Sequence, residues 1–187
     1  HPLALGRRGD DYIIASESCV FDHLDAKFMC DIKPGILLTV SHNGISEVEW
    51  GNARRLCVDI FEFVYFARPD SVVWGVEVGS ARRETGMILA NEHPVFNADI
   101  VVPVPDSGKD AAWGYANGMK RKKSPIDFEP DAITRSHVVS RTFTEPVKER
   151  RHSGVHLKFN MRETILEGKH VVLVDDSIVR CNTMPIT

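Results

Sequence analysis

The sequence has no long hydrophobic run, few cysteines and no excess of positive charge. None of the apolar stretches in its 187 residues approaches the roughly 20 residues that a membrane-spanning helix needs, and no leader of charged and then apolar residues precedes a cleavage site. The four cysteines, Cys19, Cys30, Cys57 and Cys181, lack the close pairs of a zinc site and the density of a disulfide scaffold. We therefore expect free thiols in a cytoplasmic protein that does not engage a membrane.

The charge balance argues against nucleic acid as a partner. The formal net charge is −3, whereas general affinity for nucleic acid requires a basic face. One basic run, residues 120–123, stands beside Ser124 and Pro125, and we interpret it as a solvated linker loop. With 43% hydrophobic and 26% charged residues, the composition is that of a globular protein with one core or two small ones.

The first 50 or so residues have the pattern of antiparallel β-structure. Residues 12–15 are predicted to form a strand. Residues 36–40 and the alternating residues 45–50 flank Asn43-Gly44, a dipeptide that supplies the positive φ angles of a tight hairpin turn. This part is therefore predicted to contain a β-hairpin.

The remainder of the chain alternates between helical and buried-strand patterns. Residues 61–67 suit a strand or a buried connection, and residues 78–90 predict a helix with an apolar stripe at Val78, Ala81, Ile88 and Leu89. Strands are predicted at residues 99–104 and 171–174, and a helix from Asp110. Short extended pieces are predicted at residues 141–146 and 155–159. The alternation indicates an α/β domain with a parallel sheet.

Two of these strands end in acidic and hydroxyl-bearing loops. Asp106 and Ser107 follow the first, and Asp175, Asp176 and Ser177 follow the second. If both strands are parallel, the loops leave the same edge of the sheet, where ligands of open α/β sheets bind. Carboxylate oxygens suit a hydrated Mg²⁺ ion or sugar hydroxyls, and residues 177–180 suit a phosphate.

These residues have two other interpretations. A strand that ends in two aspartates also begins the receiver domains of two-component signalling. A receiver places its phosphorylated aspartate on a later strand, which this sequence does not contain, so we favour a sugar-phosphate site. Taken alone, Asp106-Ser107 would be an ordinary turn.

Four segments, in order, resemble the amidophosphoribosyltransferases, a family of type I phosphoribosyltransferases. They are residues 60–71 (IFEFVYFARPDS), 98–108 (ADIVVPVPDSG), 141–143 (RTF) and 171–180 (VVLVDDSIVR). The resemblance implies a type I phosphoribosyltransferase-like parallel sheet with helices at residues 58–187. It implies that residues 1–57 are the β-rich end of an N-terminal nucleophile glutaminase domain.

The resemblance also implies a reaction and its site residues. The family converts phosphoribosyl pyrophosphate and glutamine to phosphoribosylamine, glutamate and pyrophosphate, using ammonia released from glutamine. Ser107, Asp175 and Asp176 match Mg²⁺-associated positions, and the two aspartates also face the ribose. The matching substrate and closing-loop positions are Ser177, Arg180 and Thr183 in the phosphate loop, and Arg135, Arg141 and Thr142 in the loop that closes over the substrate.

The chain departs from the family after Arg180, where Cys181 and Asn182 replace the first residues of a Gly-Thr-Thr sequence. A Cβ where the backbone needs glycine costs about 1 to 2 kcal/mol and obstructs the phosphate. This favours an alternative, a non-catalytic regulatory domain that senses phosphoribosyl pyrophosphate. Some relatives carry an iron–sulphur cluster, but Cys57 lies two residues too far upstream to match its first ligand, so no cluster is expected.

The sequence begins without methionine and stops shortly after the acidic motif. We therefore expect an internal part of a longer enzyme, and the resemblance implies that the complete enzyme is a homo-oligomer. The family's catalytic cysteine lies upstream of the matched residues. This part is thus expected to lack a complete active centre and to be inactive alone.

Overall fold

The computed structural model describes residues 2–51, 56–135 and 159–178. The chain forms two compact units, His1–Ala81 and Arg82–Thr187. This division is one of packing, and the domain boundary expected at residue 57 stays a prediction. Among the described residues no helix is both long and apolar enough to cross a membrane.

The first unit begins with a three-stranded antiparallel sheet, which confirms the predicted antiparallel character and includes the predicted strand at residues 12–15. Its strands are β1 (Ala4–Arg8), β2 (Asp11–Ala15) and β3 (Lys27–Asp31), in the order β2-β1-β3. Helix α1 (Cys19–His23) connects β2 to β3 and buries Phe21. Gly6 in β1 makes room for that ring, since a Cβ there would lie 2.5 Å from Phe21.

The predicted hairpin is confirmed, with a shift in its turn. Strands β4 (Ile36–Ser41) and β5 (Gly44–Glu49) pair in antiparallel register, and the two-residue loop is His42-Asn43. Gly44 is the first residue of β5 and has a φ of 110°. The positive φ that we assigned to both residues of Asn43-Gly44 belongs to the glycine alone.

Residues 61–67 do not form the predicted strand or a buried connection. A π-helix runs over Glu62–Phe66, and Phe61, Tyr65 and Phe66 are each about half exposed. Aromatic and β-branched residues favour strands only where a sheet is present to pack against, and no strand neighbour lies alongside this segment in the described chain.

The Arg68-Pro-Asp-Ser71 sequence after this helix is tied to the region of α1. The Glu17 carboxylate accepts hydrogen bonds from the Arg68 backbone N–H (2.7 Å) and from the buried Ser71 hydroxyl (2.8 Å). The Ser18 hydroxyl accepts one from the Val72 N–H (2.7 Å). A short hairpin follows, made of β6 (Val72–Val73) and β7 (Val76–Glu77).

The second unit contains the predicted parallel sheet. Strands β8 (Ile100–Pro103), β9 (Asp127–Phe128) and β12 (Val171–Val174) lie in the order β12-β8-β9, all parallel. The other elements are α2 (Val78–Glu92), α3 (Lys109–Arg121), β10 (Ile133–Arg135), β11 (Phe159–Met161) and α4 (Glu163–Leu166). Helix α2 is confirmed, and it begins within the first unit.

Both faces of the sheet are covered, as the continuous apolar strands require. Val101 and Val174 pack against buried residues of α3 on one face. Ile100 and Val102 pack on the other face with Ile133 of β10, which pairs with β11 in antiparallel register. Successive residues of β8 therefore pack into the hydrophobic clusters on opposite faces of the sheet.

The buried face of α2 matches only part of the predicted stripe. Val78 is buried and Ala81 is half-buried, but Ile88 and Leu89 are exposed, whereas Gly86 and Ala90 are buried. The reason is a close crossing with α3, because a Cβ at Gly86 would lie 2.0 Å from the Ala111 carbonyl oxygen. Small residues thus define the contact where an apolar stripe was expected.

The basic run is exposed, as predicted, but it is not a linker loop. Lys120 and Arg121 form the last turn of α3, and Lys122 and Lys123 form the turn after it. Cations at this end of a helix interact favourably with its dipole.

Candidate functional site

The carboxyl ends of β8 and β12 lie side by side. Val174 is opposite Pro103 in the parallel register, and the Val104 N–H donates to the Val174 carbonyl at 2.8 Å. Residues 104–108 and 175–178 therefore leave the same edge of the sheet. This is the convergence that the sequence predicted.

The loop after β12 presents its carboxylates in a compact turn. The Asp176 N–H donates to Asp175 Oδ1 at 2.9 Å, and the Ser177 hydroxyl donates to Asp176 Oδ1 at 2.6 Å. Both aspartates are half-buried and Ser177 is exposed. The side chains are thus held by their own loop, with oxygen atoms that can accept hydrogen bonds or bind a cation.

The loop after β8 lies directly against the end of β12. A Cβ at Gly108 would lie 2.5 Å from the Val174 carbonyl oxygen and 2.9 Å from that of Val104. Only glycine fits there, so the start of α3 is brought to the strand ends together with the half-buried Ser107. The N-terminus of a 13-residue helix adds partial positive charge to this edge.

Asp106 has a role at this edge that the sequence did not reveal. Its Oδ2 lies 2.9 Å from Nη1 of Arg135, the last residue of β10. The peptide bond between Pro105 and Asp106 is cis. The sequence analysis placed Asp106 beside Ser107 in the acidic loop but did not pair it with Arg135. The available signal was its position beside Ser107 in an acidic loop.

The residues present fit a hydrated divalent cation better than a protein-only metal cage. No three His, Cys, Asp or Glu side chains converge anywhere in the described residues. Magnesium commonly keeps several waters and uses one or two carboxylates together with substrate phosphates. That requirement is met by the carboxylates of Asp175 and Asp176, with Ser107 in the neighbouring loop after β8.

Four predicted site residues lie outside the described residues. These are Arg141, Thr142, Arg180 and Thr183. Cys181 and Asn182, where the chain departs from the family, lie outside them too. Their roles stay predictions.

Two of the pockets formed by the described residues lie away from this edge. One, of about 340 Å³, is lined by apolar residues that include Val102 and Ile133, and none of its lining residues has a polar side chain to orient a ligand. The other, of about 280 Å³, lies in the first unit and is lined in part by Lys33, Cys57 and Glu62. Burial raises the pKa of the Glu62 carboxyl.

Comparison with known proteins bears directly on this site. The chain is 43% identical over 182 residues to an amidophosphoribosyltransferase of Archaeoglobus fulgidus, 46% over 189 residues to that of Rhizobium etli and 39% over 182 residues to that of Bacillus subtilis. Each match covers 97% of this chain. The chain belongs to the amidophosphoribosyltransferase family. No protein-family model matches it.

Solved structures agree with this assignment. The chain superposes with a TM-score of 0.83 and 38% identity on the glutamine phosphoribosylpyrophosphate amidotransferase of Bacillus subtilis, described as a complex with ADP and GMP. A second structure, described as the allosteric regulatory enzyme of purine biosynthesis, gives 0.82 and 38%. These matches cover 97% and 96% of this chain. The expected phosphoribosyltransferase-type fold is confirmed.

The chain corresponds to part of an amidophosphoribosyltransferase in length. It spans 36% to 38% of the curated relatives named above and 37% to 38% of the two solved structures. The family is one of glycosyltransferases.

Proposed function

We propose that this chain forms the phosphoribosyl pyrophosphate site of a glutamine-dependent amidophosphoribosyltransferase. The supporting observation is the in-register pairing of β8 and β12, which brings the Ser107 loop and the Asp175-Asp176 loop to one edge. A substrate with a ribose and a pyrophosphate needs such a combination of acceptors, hydroxyls and helix N–H groups.

Each group at the edge has a task suited to its chemistry. The carboxylates of Asp175 and Asp176 accept hydrogen bonds from the ribose hydroxyls and, with Ser107, would hold Mg²⁺. Bound Mg²⁺ neutralises the charge of the leaving pyrophosphate. Residues 177–183, with Ser177, Arg180 and Thr183, would cradle the 5′-phosphate on backbone N–H groups and side-chain donors.

The reaction proposed is substitution at C1 of the ribose. The ammonia nitrogen forms a bond to C1 while the bond from C1 to the pyrophosphate oxygen breaks, through a state that resembles an oxocarbenium ion. Arg141 and Thr142 belong to the loop proposed to close over the substrate. Arg135, predicted to lie in that loop, is instead the last residue of β10 and is proposed to act from the strand end. Exclusion of water prevents hydrolysis of the reactive sugar.

The antiparallel β-structure of the first part of the chain fits the end of a glutaminase domain, which is the source of ammonia in the proposed reaction. We propose that residues 1–57 are the end of the glutaminase domain and residues 58–187 part of the phosphoribosyltransferase domain. The described cysteines, Cys19, Cys30 and Cys57, are free thiols, which suits a cytoplasmic enzyme. We expect the complete enzyme to be a homo-oligomer.

An exchange experiment tests this function. The matching segment of the Bacillus subtilis relative is replaced by this chain, and pyrophosphate release is measured with glutamine and with ammonia. Release with both nitrogen sources supports the proposal, and the 187-residue chain alone should release none with glutamine. A folded chimera that neither binds phosphoribosyl pyrophosphate nor releases pyrophosphate contradicts it.

The same experiment separates the enzyme from the alternative regulator. Cys181 and Asn182 stand where the family has glycine and threonine, and this favours a domain that senses phosphoribosyl pyrophosphate without transferring it. A chimera that binds the substrate but releases no pyrophosphate supports the regulator. Restoration of release by Cys181→Gly would assign the loss to the phosphate loop.

A further inference from the structure

The ion pair between Asp106 and Arg135 joins the loop after β8 to the end of β10. Nη1 of Arg135 lies 2.9 Å from Oδ2 of Asp106, and their side chains are 49% and 63% exposed. We propose that Asp106 is a positioning residue, which holds the Arg135 guanidinium beside the Ser107 turn where the pyrophosphate of the substrate binds. This inference rests on the proposed function.

The backbone of Arg135 is well anchored, whereas its side chain is long. Arg135 is opposite Phe159 in the β10–β11 pairing, and Ile133, two residues earlier, is buried against Ile100 and Val102 of β8. The sheet therefore fixes where the side chain starts. An arginine side chain loses much rotamer freedom when it binds an anion, unless another group already holds it.

The geometry leaves the guanidinium able to bind a second anion. The contact with Asp106 uses Nη1, and a guanidinium carries five N–H donors in a planar fork that matches a phosphate. One carboxylate can thus orient the group while the remaining donors face the ligand. Asp106 directly precedes Ser107, so the Arg135 guanidinium that it holds lies at the edge where the acidic loops converge.

Electrostatics alone predicts the opposite effect of removing Asp106. A carboxylate beside a polyphosphate site repels the ligand, so its loss should tighten binding if charge is all that matters. Positioning predicts weaker binding, because the arginine must then be ordered by the substrate itself. The sign of the change therefore distinguishes the two roles.

The test is titration calorimetry with the whole 187-residue chain and Mg²⁺, using phosphoribosyl pyrophosphate and, separately, ribose 5-phosphate. Asp106→Ala should weaken binding of the pyrophosphate-bearing ligand about 3- to 10-fold. It should leave ribose 5-phosphate unchanged, since that ligand has no pyrophosphate. Asp106→Glu, which keeps a carboxylate, should retain more affinity than Asp106→Ala.

Two further variants complete the design. In an Arg135→Ala background, Asp106→Ala should cause no further loss, because no guanidinium remains to be positioned. Asp127→Ala is the matched control. It removes an exposed aspartate at the start of β9, opposite Ile100 and hence at the other edge of the same sheet, and should not affect binding.

Each other result overturns the inference. Unchanged or tighter binding of phosphoribosyl pyrophosphate by Asp106→Ala would show that Asp106 does not position the arginine. Equal losses for both ligands would show a structural role. If the folded unaltered chain bound neither ligand, the proposed function would fail first, and this inference with it.

Discussion

At the scale of single residues, Tyr115 shows how a polar group is used inside the second unit. Its ring is buried among residues of α3 and the sheet. Its hydroxyl donates to the His93 carbonyl at 2.9 Å and accepts from the Val95 N–H at 3.1 Å. The side chain therefore fixes the segment that leads from α2 to β8.

Tyr115→Phe should lower the free energy of unfolding by about 1 to 3 kcal/mol at neutral pH, because two part-buried hydrogen bonds, each worth about 0.5 to 1.5 kcal/mol, are lost. The difference should shrink above pH 10. Burial raises the pKa of Tyr115 above its ordinary value of 10.0. The contribution of the neutral phenol to the free energy of unfolding is therefore lost as pH rises through that higher pKa. Phenylalanine has no such loss.

Denaturant unfolding at a series of pH values measures this difference. Tyr65→Phe is the matched control, since Tyr65 is 47% exposed, and it should change the unfolding free energy by less than about 0.5 kcal/mol. A Tyr115→Phe protein as stable as the parent at neutral pH would contradict the hydrogen-bonding account.

The candidate site shows how far sequence reasoning reaches at this scale. Asp175, Asp176 and Ser107 could be chosen because each follows a continuous apolar run, and strands of that kind end at a ligand-binding edge. The bond between Asp106 and Arg135 could not be chosen. It joins the loop after β8 to the end of β10, 29 positions further along the chain, and no local pattern records such a contact.

At the scale of elements, strands β8 and β12 were predictable because their apolar runs have no polar interruption. Strands β9 and β10 were missed, since they contain two and three residues and depend on the sheet for their pairing. The π-helix at Glu62–Phe66 was missed because its aromatic residues have strand propensity that tertiary context overrides.

The crossing of α2 and α3 was hidden for a related reason. Gly86 of α2 and Gly114 of α3 bring the helix backbones together, and glycines add nothing to an apolar stripe. A Cβ at Gly114 would lie 2.0 Å from the Arg83 carbonyl oxygen. The two helices can therefore pack this closely because neither glycine has a side chain at the crossing.

Gly114→Ala should destabilise the second unit although alanine favours helices. Helix propensity would contribute about 1 kcal/mol in favour of alanine, whereas overpacking against a backbone costs about 1 to 3 kcal/mol or more. We expect a net loss of about 1 to 2 kcal/mol, since the helices must separate. Thermal and denaturant unfolding measure it.

Lys120→Ala, an exposed change in the last turn of the same helix, is the control and should have little effect. A Gly114→Ala protein more stable than the parent would show that the two helices do not cross as closely as described.

At the scale of the whole molecule, the chain matches the three curated relatives named above over 97% of its own length but only 36% to 38% of theirs. Its two units differ in architecture, one antiparallel and one with a parallel sheet, and this difference was visible in the sequence. The acidic edge, formed by residues 104–108 and 175–178, lies wholly within the second unit, which contains all three strands of the parallel sheet.

The most direct test is calorimetric titration of phosphoribosyl pyrophosphate into the purified chain, with Mg²⁺ and with a chelator. The parent should bind in a Mg²⁺-dependent manner. The Asp175→Asn, Asp176→Asn double variant should lose at least about 10-fold in affinity, or ~1.4 kcal/mol. The control is the Asp10→Asn, Asp11→Asn double variant, which removes two adjacent and exposed carboxylates of the first unit. It should bind like the parent.

Mg²⁺-dependent binding that is lost only in the Asp175 and Asp176 variant would establish the acidic edge as the substrate site. A chain shown to be folded by circular dichroism that binds nothing, or a double variant that binds like the parent, would contradict the assignment of this edge to phosphoribosyl pyrophosphate.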